Sequence, residues 1–364
     1  MRAKIGILKG DYIGPEIIAE AEKVLTCIEK KFNHQFERTY LEASGEAFDK
    51  YGKHLPEHTI IEAKKCDALL KGPFGGPPED INHPKWSGVE QKAILPLRKH
   101  FNLYNNLRET KTIAPLIHLS PIKEKIVENV NIVIVRELTS GIYFGQKKEE
   151  IINGEKIYSD TETYSESEIS RIAVKAFEIA RKRRRKLTLV AKSNVLKSSL
   201  LWREVVERIS KDYGDVKLDY MHVDNASMQL ILNPSQFDVI LTSNMFGDIL
   251  SDEASVLLGS IGLLPSASLG DSTFGLYEPI HGSAPSIAGK NIANPISAIL
   301  SVALMLRYSF NLENESKHIE ESIFSVLEEG FRTQDLFIEG DDLSKVLGTA
   351  EFGDKVCHKI MISD

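Results

Sequence analysis

Cysteine is scarce in this chain, and what little there is lies far apart. Three cysteines among 364 residues, Cys27, Cys66 and Cys357, are odd in number and have neither zinc-site spacing nor a disulfide framework, so reduced thiols in a cytoplasmic protein are expected. Long apolar runs are also missing. The longest, Ile296 to Leu306, falls short of the ~20 residues that cross a bilayer. The opening Met1-Arg-Ala-Lys-Ile-Gly-Ile-Leu8 has no apolar core of signal-peptide length. A soluble protein without a membrane partner is expected. Positive charge is in deficit as well: the net charge of -7 argues against a nucleic-acid-binding surface. The one strong basic run, Arg181-Lys-Arg-Arg-Arg-Lys186, closes the helical periodicity of residues 169–180 and reads as a solvated helix end. Finally, there is no Gly-x-Gly-x-x-Gly, so the Rossmann fingerprint is absent.

What the chain does have is alternation. Lys4–Leu8 reads as a strand before a helix from about Pro15 to Lys30. Cys66–Leu70, Asn131–Arg136, Leu187–Ala191 and Phe237–Thr242 read as further strands, the last apolar and partly β-branched. That rhythm predicts an α/β protein with a helix-covered sheet, in two domains given the length. The segment from Tyr143 to Glu162 breaks the rhythm. Its alternation around Asn153-Gly154 predicts a hairpin arm that reaches a partner subunit.

The most informative stretch is Asn244-Met-Phe-Gly-Asp-Ile-Leu-Ser-Asp252. It follows a strand and turns helical, so Asp248 and Asp252 share one helix face. Two carboxylates that close repel unless a cation lies between them, and oxygen ligands suit Mg²⁺ or Mn²⁺. Asp224 is a third candidate ligand, or else a helix N-cap. Arg98, Arg108 and Arg136 have the chemistry to grip a substrate with more than one carboxylate, although each alone also suits a surface ion pair. Tyr143 is a candidate general acid if a nearby cation lowers its pKa, and otherwise a structural tyrosine. Lys192 follows a strand directly and is a candidate base. The Gly10–Glu16 and Glu278–Gly289 segments are turns whose small residues let a backbone approach a nucleotide.

Together, Asn244–Asp252, Val135–Gly145, Leu263–Leu269 and His281–Pro285 resemble the isocitrate/isopropylmalate dehydrogenase family of β-decarboxylating dehydrogenases, nearly end to end. The resemblance implies a three-layer αβα fold that is not Rossmann. One domain would join residues 1–102 and 259–364, and the other would span 103–258 and carry the dimer interface. It implies NAD and Mg²⁺ or Mn²⁺ as cofactors, and oxidative decarboxylation of (2R,3S)-3-isopropylmalate in leucine biosynthesis. Homoisocitrate, tartrate and isocitrate are the alternative substrates, and a non-catalytic regulatory subunit is the alternative of another class. Arg98, Arg108 and Arg136 would hold the malate carboxylates, and Ile94 and Leu95 the apolar group. Asp248 and Asp252 of one subunit would bind metal, with Asp224 and the base Lys192 supplied by the other, and Tyr143 would be the acid. Gly76, Glu90, Glu278, His281, Gly282, Ser283, Ala284, Pro285, Ser286, Ile287 and Asn294 would contact the dinucleotide.

Four residues leave the family pattern: Lys9, Tyr12, Ala191 and Ser286. Tyr12 replaces a glycine in the first loop, which puts that loop's shape in question. Ser286 replaces an aspartate that would accept ribose hydrogen bonds and repel the 2′-phosphate of NADP⁺, so NAD⁺ preference with weaker discrimination is expected.

Overall fold

The computed structural model describes residues 1–363 and divides into two compact units. The first holds Met1–Phe101, Ile113–Pro121 and the residues from Leu258 onward; the second holds Asn102–Thr112 and Ile122–Leu257. The short stretch 113–121, which the sequence reading assigns to the second domain, therefore belongs to the first unit.

In the first unit five strands lie in the order Gln35–Tyr40, Arg2–Leu8, Ala68–Lys71, Gly275–Pro279 and Pro265–Leu269. All neighbours are parallel except the last pair. The helix Gly14–Phe32 starts with Pro15 in its first turn, where a missing N–H costs nothing. Its apolar stripe packs on the C-terminal helix Thr349–Ile362. The apolar run Ile296 to Leu306 becomes a helix, Ile296–Tyr308, buried over most of its surface between strands and neighbouring helices. No helix among the described residues is long and apolar enough to cross a membrane.

In the second unit five strands of the main sheet lie in the order Asn105–Lys111, Asn131–Glu137, Val239–Thr242, Lys186–Ala191 and Lys217–His222. The first pair is antiparallel and the others are parallel. Four carboxyl ends therefore share one edge of the sheet, the place where open α/β sheets set their ligands. The expected hairpin is present as Lys147–Ile152 paired with Glu155–Asp160. Asn153 and Gly154 turn it with φ of 53° and 84°, the left-handed geometry that a two-residue hairpin turn demands.

The basic run closes the helix Glu166–Arg181 and is largely solvated, with Arg181, Lys182, Arg184 and Arg185 exposed. Arg183 and the Arg184 backbone have a second role, at Asp238, which is fully buried. Arg183 Nε donates to Asp238 at 2.9 Å and the Arg184 backbone N–H at 2.8 Å. Arg183 also donates to the Asn131 carbonyl at 2.8 Å. A buried carboxylate needs such partners, and sequence periodicity cannot reveal one more than fifty residues away. Asp238→Ala should thus lower the free energy of unfolding by about 2–3 kcal/mol, because hydrogen bonds to a charged group are lost and a backbone N–H is orphaned. Urea unfolding measures this; an unchanged midpoint would mean the clamp contributes nothing.

Candidate active site

Register places the key arginines. Asn106 pairs with Arg136 across the antiparallel ladder. Arg108, two residues along, therefore presents its side chain on the same sheet face as Arg136. The helix Asn244–Ser255 begins two residues after Thr242 and packs on that strand pair. Its one-turn spacing puts Asp248 and Asp252 in front of both arginines.

Contacts then converge on Asp248. Arg136 donates from a terminal guanidinium nitrogen to Asp248 Oδ1 at 2.6 Å, and Arg108 to the same oxygen at 3.3 Å. The Tyr143 hydroxyl donates to Asp248 Oδ2 at 2.8 Å. Arg108 also reaches Asp252 Oδ1 at 3.0 Å and Ser251 Oγ at 2.6 Å. The repulsion between the two aspartates is thus relieved by a guanidinium that bridges them. Partial desolvation raises the Asp252 carboxyl above the ordinary aspartate range, opposed by Arg108, while Asp248 adds to the rise.

Tyr143 corrects one expectation. Its pKa is not lowered but pushed up to about 12, first by burial and then by the Asp248 carboxylate, which outweigh Arg136 and Arg108. The phenol therefore keeps its proton near neutral pH. A protonated phenol is an acid in waiting and not a base.

Lys192 and Asp224 form a separate pair. Ala191 and His222 are partners on neighbouring parallel strands, so the residues just beyond them emerge side by side. Lys192 Nζ donates to Asp224 Oδ1, and this bond holds the exposed aspartate below its usual pKa. His222, not Asp224, holds the N-cap position of the helix Val223–Leu232, and Asp224 lies in its first turn, so the N-cap alternative is set aside. Among the described residues, no three His, Cys, Asp or Glu side chains gather within one chain to hold a metal ion. The oxygen-only donor set of Asp248 and Asp252 on one helix face still fits a hard divalent cation.

Arg98 belongs to the first unit, on the short helix Leu95–His100. Glu278 and Lys71 stand side by side at the carboxyl ends of parallel strands, as the Tyr277–Leu70 register requires. Both are buried. Glu278 accepts from Lys71 Nζ at 2.6 Å and from Arg98 at 3.1 Å, so its two oxygens serve these cations. Arg98 Nε is buried and has no partner. Ile94 is buried beside it in sequence, Leu95 is half-buried, and Glu90 is exposed.

The remaining nucleotide candidates also lie in the first unit. Ala284 adopts φ of 42°, which opens the Pro285–Ile287 turn, and Ser286 is exposed. Burial lowers the pKa of the His281 ring, whose Nε2 is buried and unpartnered. Ser283 is buried, and its carbonyl accepts from Ile13 N–H at 3.1 Å, tying this segment to the first loop. Asn294 is occupied structurally, accepting from Ile296 N–H at 2.9 Å and donating to Asp335 at 3.0 Å. Tyr12 takes the left-handed φ of 52° that a glycine would adopt freely, and its ring packs 5.5 Å from Trp86. A Cβ on Gly76 would lie 2.2 Å from that Trp86 ring, so the glycine is needed for close packing.

Several supporting residues carry no role in the sequence reading. Asn244 Oδ1 accepts two bonds from Arg136, at 3.1 and 2.7 Å, and its Nδ2 donates to the Ser140 carbonyl at 2.9 Å. An asparagine at the start of a helix that follows a strand was the available signal. Gly247 is the second. A Cβ there would stand 2.6 Å from Arg136 Cγ and 2.7 Å from its Cβ. Gly247→Ala should therefore cost about 1–3 kcal/mol of stability through overpacking. Chemical denaturation reads this, and a cost near zero would show that Arg136 has room to move.

A model of the family described as isocitrate/isopropylmalate dehydrogenase matches residues 4–356. A 3-isopropylmalate dehydrogenase of Thermotoga maritima is 50% identical over 358 residues, covering 98% of this chain and 99% of that relative. One from Vibrio vulnificus is 52% identical, covering 99% and 98% respectively. The crystal structure of isocitrate dehydrogenase from Methylococcus capsulatus superposes with a TM-score of 0.86 at 33% identity, with 99% of each chain covered. With an α/β architecture and an arginine–aspartate cluster at the carboxyl edge of its strands, this chain belongs to the isocitrate/isopropylmalate dehydrogenase family.

Proposed function

We propose that the chain is the 3-isopropylmalate dehydrogenase of leucine biosynthesis, converting (2R,3S)-3-isopropylmalate to 4-methyl-2-oxopentanoate and CO₂ with NAD⁺ and Mg²⁺ or Mn²⁺. The observation that carries it is the gathering of Arg108, Arg136 and Tyr143 around Asp248, beside Asp252. Relatives about half identical over nearly the full length support the choice of substrate.

When bound, the cation supplies positive charge beside the substrate hydroxyl and the dinucleotide supplies the hydride acceptor. Asp248 and Asp252 would hold the cation, joined by Asp224 of a second copy. Arg108 and Arg136 would bind substrate carboxylate through paired hydrogen bonds, a role that the family resemblance gives to Arg98 as well. Lys192, oriented by Asp224, takes the hydroxyl proton. After CO₂ leaves, Tyr143 delivers its phenolic proton to the carbon that lost the carboxylate. Its raised pKa suits that task, since the proton is present at neutral pH.

Specificity rests on Ile94 and Leu95. Removing three isopropyl carbons from water is worth roughly 2 kcal/mol at about 0.8 kcal/mol per carbon. An unpaired third carboxylate placed there would be penalised more heavily. Ser286 offers one hydroxyl and no charge, which leaves NAD⁺ favoured but removes the repulsion of NADP⁺. In a panel of isopropylmalate, isocitrate, homoisocitrate and tartrate with either nucleotide, kcat/KM should be highest for isopropylmalate with NAD⁺. A higher value on isocitrate or tartrate overturns the substrate assignment, and a preference for NADP⁺ overturns the reading of Ser286.

A homodimer is supported by the apolar surface of the second unit. Met228 and Leu232 are 56% and 64% exposed on one helix, and Ile249 is 58% exposed on the helix packed beside it. These positions form an apolar face that a second copy can cover. The arm hairpin adds exposed Ile151 and Tyr158. If Lys192 and Asp224 serve the partner's aspartates, each site needs two chains. Lys192→Met and Asp248→Asn should then each inactivate, yet recover part of the activity when mixed and allowed to exchange subunits. Verified exchange with no recovery would place all these groups in one subunit.

A further inference from the structure

Cys27 and Cys357 lie 330 positions apart in sequence, yet they meet on the seam between the first helix, Gly14–Phe32, and the last, Thr349–Ile362. The seam is a ladder. Glu20 lies against the Gly353 backbone, Lys23 Nζ pairs with Asp354 at 2.6 Å, and Lys31 Nζ donates to the Ser363 carbonyl. Residues 20, 23, 27 and 31 form one stripe of the first helix, and their partners advance in the same direction along the last. Between the second and last rungs the parallel advance of the ladder sets Cys27 facing Cys357, and each thiol perturbs the other's ionisation. Facing Cα atoms of packed helices approach to about 4–6 Å, within the span that a disulfide requires. Cys27 and Cys357 are both half-buried, whereas Cys66 is buried elsewhere.

We infer that Cys27 and Cys357 form a thiol-modification site, a dithiol that a small-molecule disulfide such as oxidised glutathione converts into an intramolecular disulfide joining the first and last helices. The sequence of attack follows from the asymmetry of the pair. The facing Cys357 thiol pulls the Cys27 thiol below its ordinary value, and Lys30 and Lys23, each within one turn of Cys27 on its own helix, add to this against burial. The Cys27 thiolate is therefore the nucleophile at neutral pH. It attacks one sulfur of the reagent, forming a mixed disulfide and expelling one glutathione thiolate. Cys357 then loses its proton to solvent and attacks the Cys27 sulfur, expelling the second glutathione. The dithiol gives up two electrons and two protons, and the reagent leaves as two thiols. The product closes nearly the whole chain into one loop and holds the two terminal helices together, which restricts the unfolded state.

The test uses the intact protein, incubated at pH 7.5 with oxidised glutathione. Titratable thiols in denaturant should fall from three to one, and a non-reducing peptide map should link the peptides of Cys27 and Cys357. The Tm should rise by about 5 °C or more and return on adding dithiothreitol. Cys357→Ser should stop at a single glutathione adduct on Cys27, and Cys66→Ser should oxidise as the wild type does. Three surviving thiols, a persistent adduct on wild-type Cys27 with Cys357 still free, or a linkage involving Cys66 would each overturn the inference.

Discussion

The Asp248 carboxylate is the constraint on which the candidate site depends. It accepts from two guanidinium groups and a phenol, and one of those guanidinium groups, Arg136, is almost wholly buried. A buried cation without a nearby anion would be driven back to solvent or would destabilise the sheet. The helix that carries Asp248 meets this need in two ways. It starts with Asn244, whose amide oxygen fixes the inner edge of the same guanidinium. Its Gly247 leaves room for the arginine stem to pass. Position, charge and space are thus set by three residues within five positions of one helix.

The first unit uses the same device with the signs distributed differently. A buried glutamate, Glu278, stands between Lys71 and Arg98, and the pull of those cations holds its carboxyl below the ordinary value against the cost of burial. Strand register makes this possible, because Glu278 and Lys71 are neighbours on parallel strands. In both units, then, an arginine suited to anionic ligands is held by a carboxylate at the strand ends. The arrangement keeps the guanidinium groups oriented without neutralising all their donors: Arg98 Nε has no partner. Pre-orientation of this kind is how a site binds a carboxylate with little reordering cost.

Much of the fold was legible because it rests on local patterns. Apolar β-branched runs marked the strands, Pro15 marked the first turn of a helix, and Asn153-Gly154 marked the hairpin. The i,i+4 spacing of Asp248 and Asp252 is enough by itself to put both on one helix face. Other features were closed to such reading. The Arg183 and Arg184 clamp depends on Asp238, a partner that becomes visible only when the strands align. Tyr143 looked like a phenol awaiting a lowered pKa, but burial and the facing Asp248 determine the sign.

The sequence by itself determined the types and local spacing of the chemical groups: two aspartates one helical turn apart, arginines on strands, a lysine just past a strand end, and glycines where backbones must come close. These are properties of short segments, governed by dihedral preference and periodicity. Only the tertiary structure decided which groups pair. Strand order and register brought Lys192 to Asp224, Lys71 to Glu278, and Arg108 and Arg136 to Asp248. Helix packing brought Cys27 to Cys357 across nearly the whole chain. Charge pairing and desolvation act over a few ångströms of space without regard to distance along the chain, and for that reason the rise in the Tyr143 pKa depends on the fold.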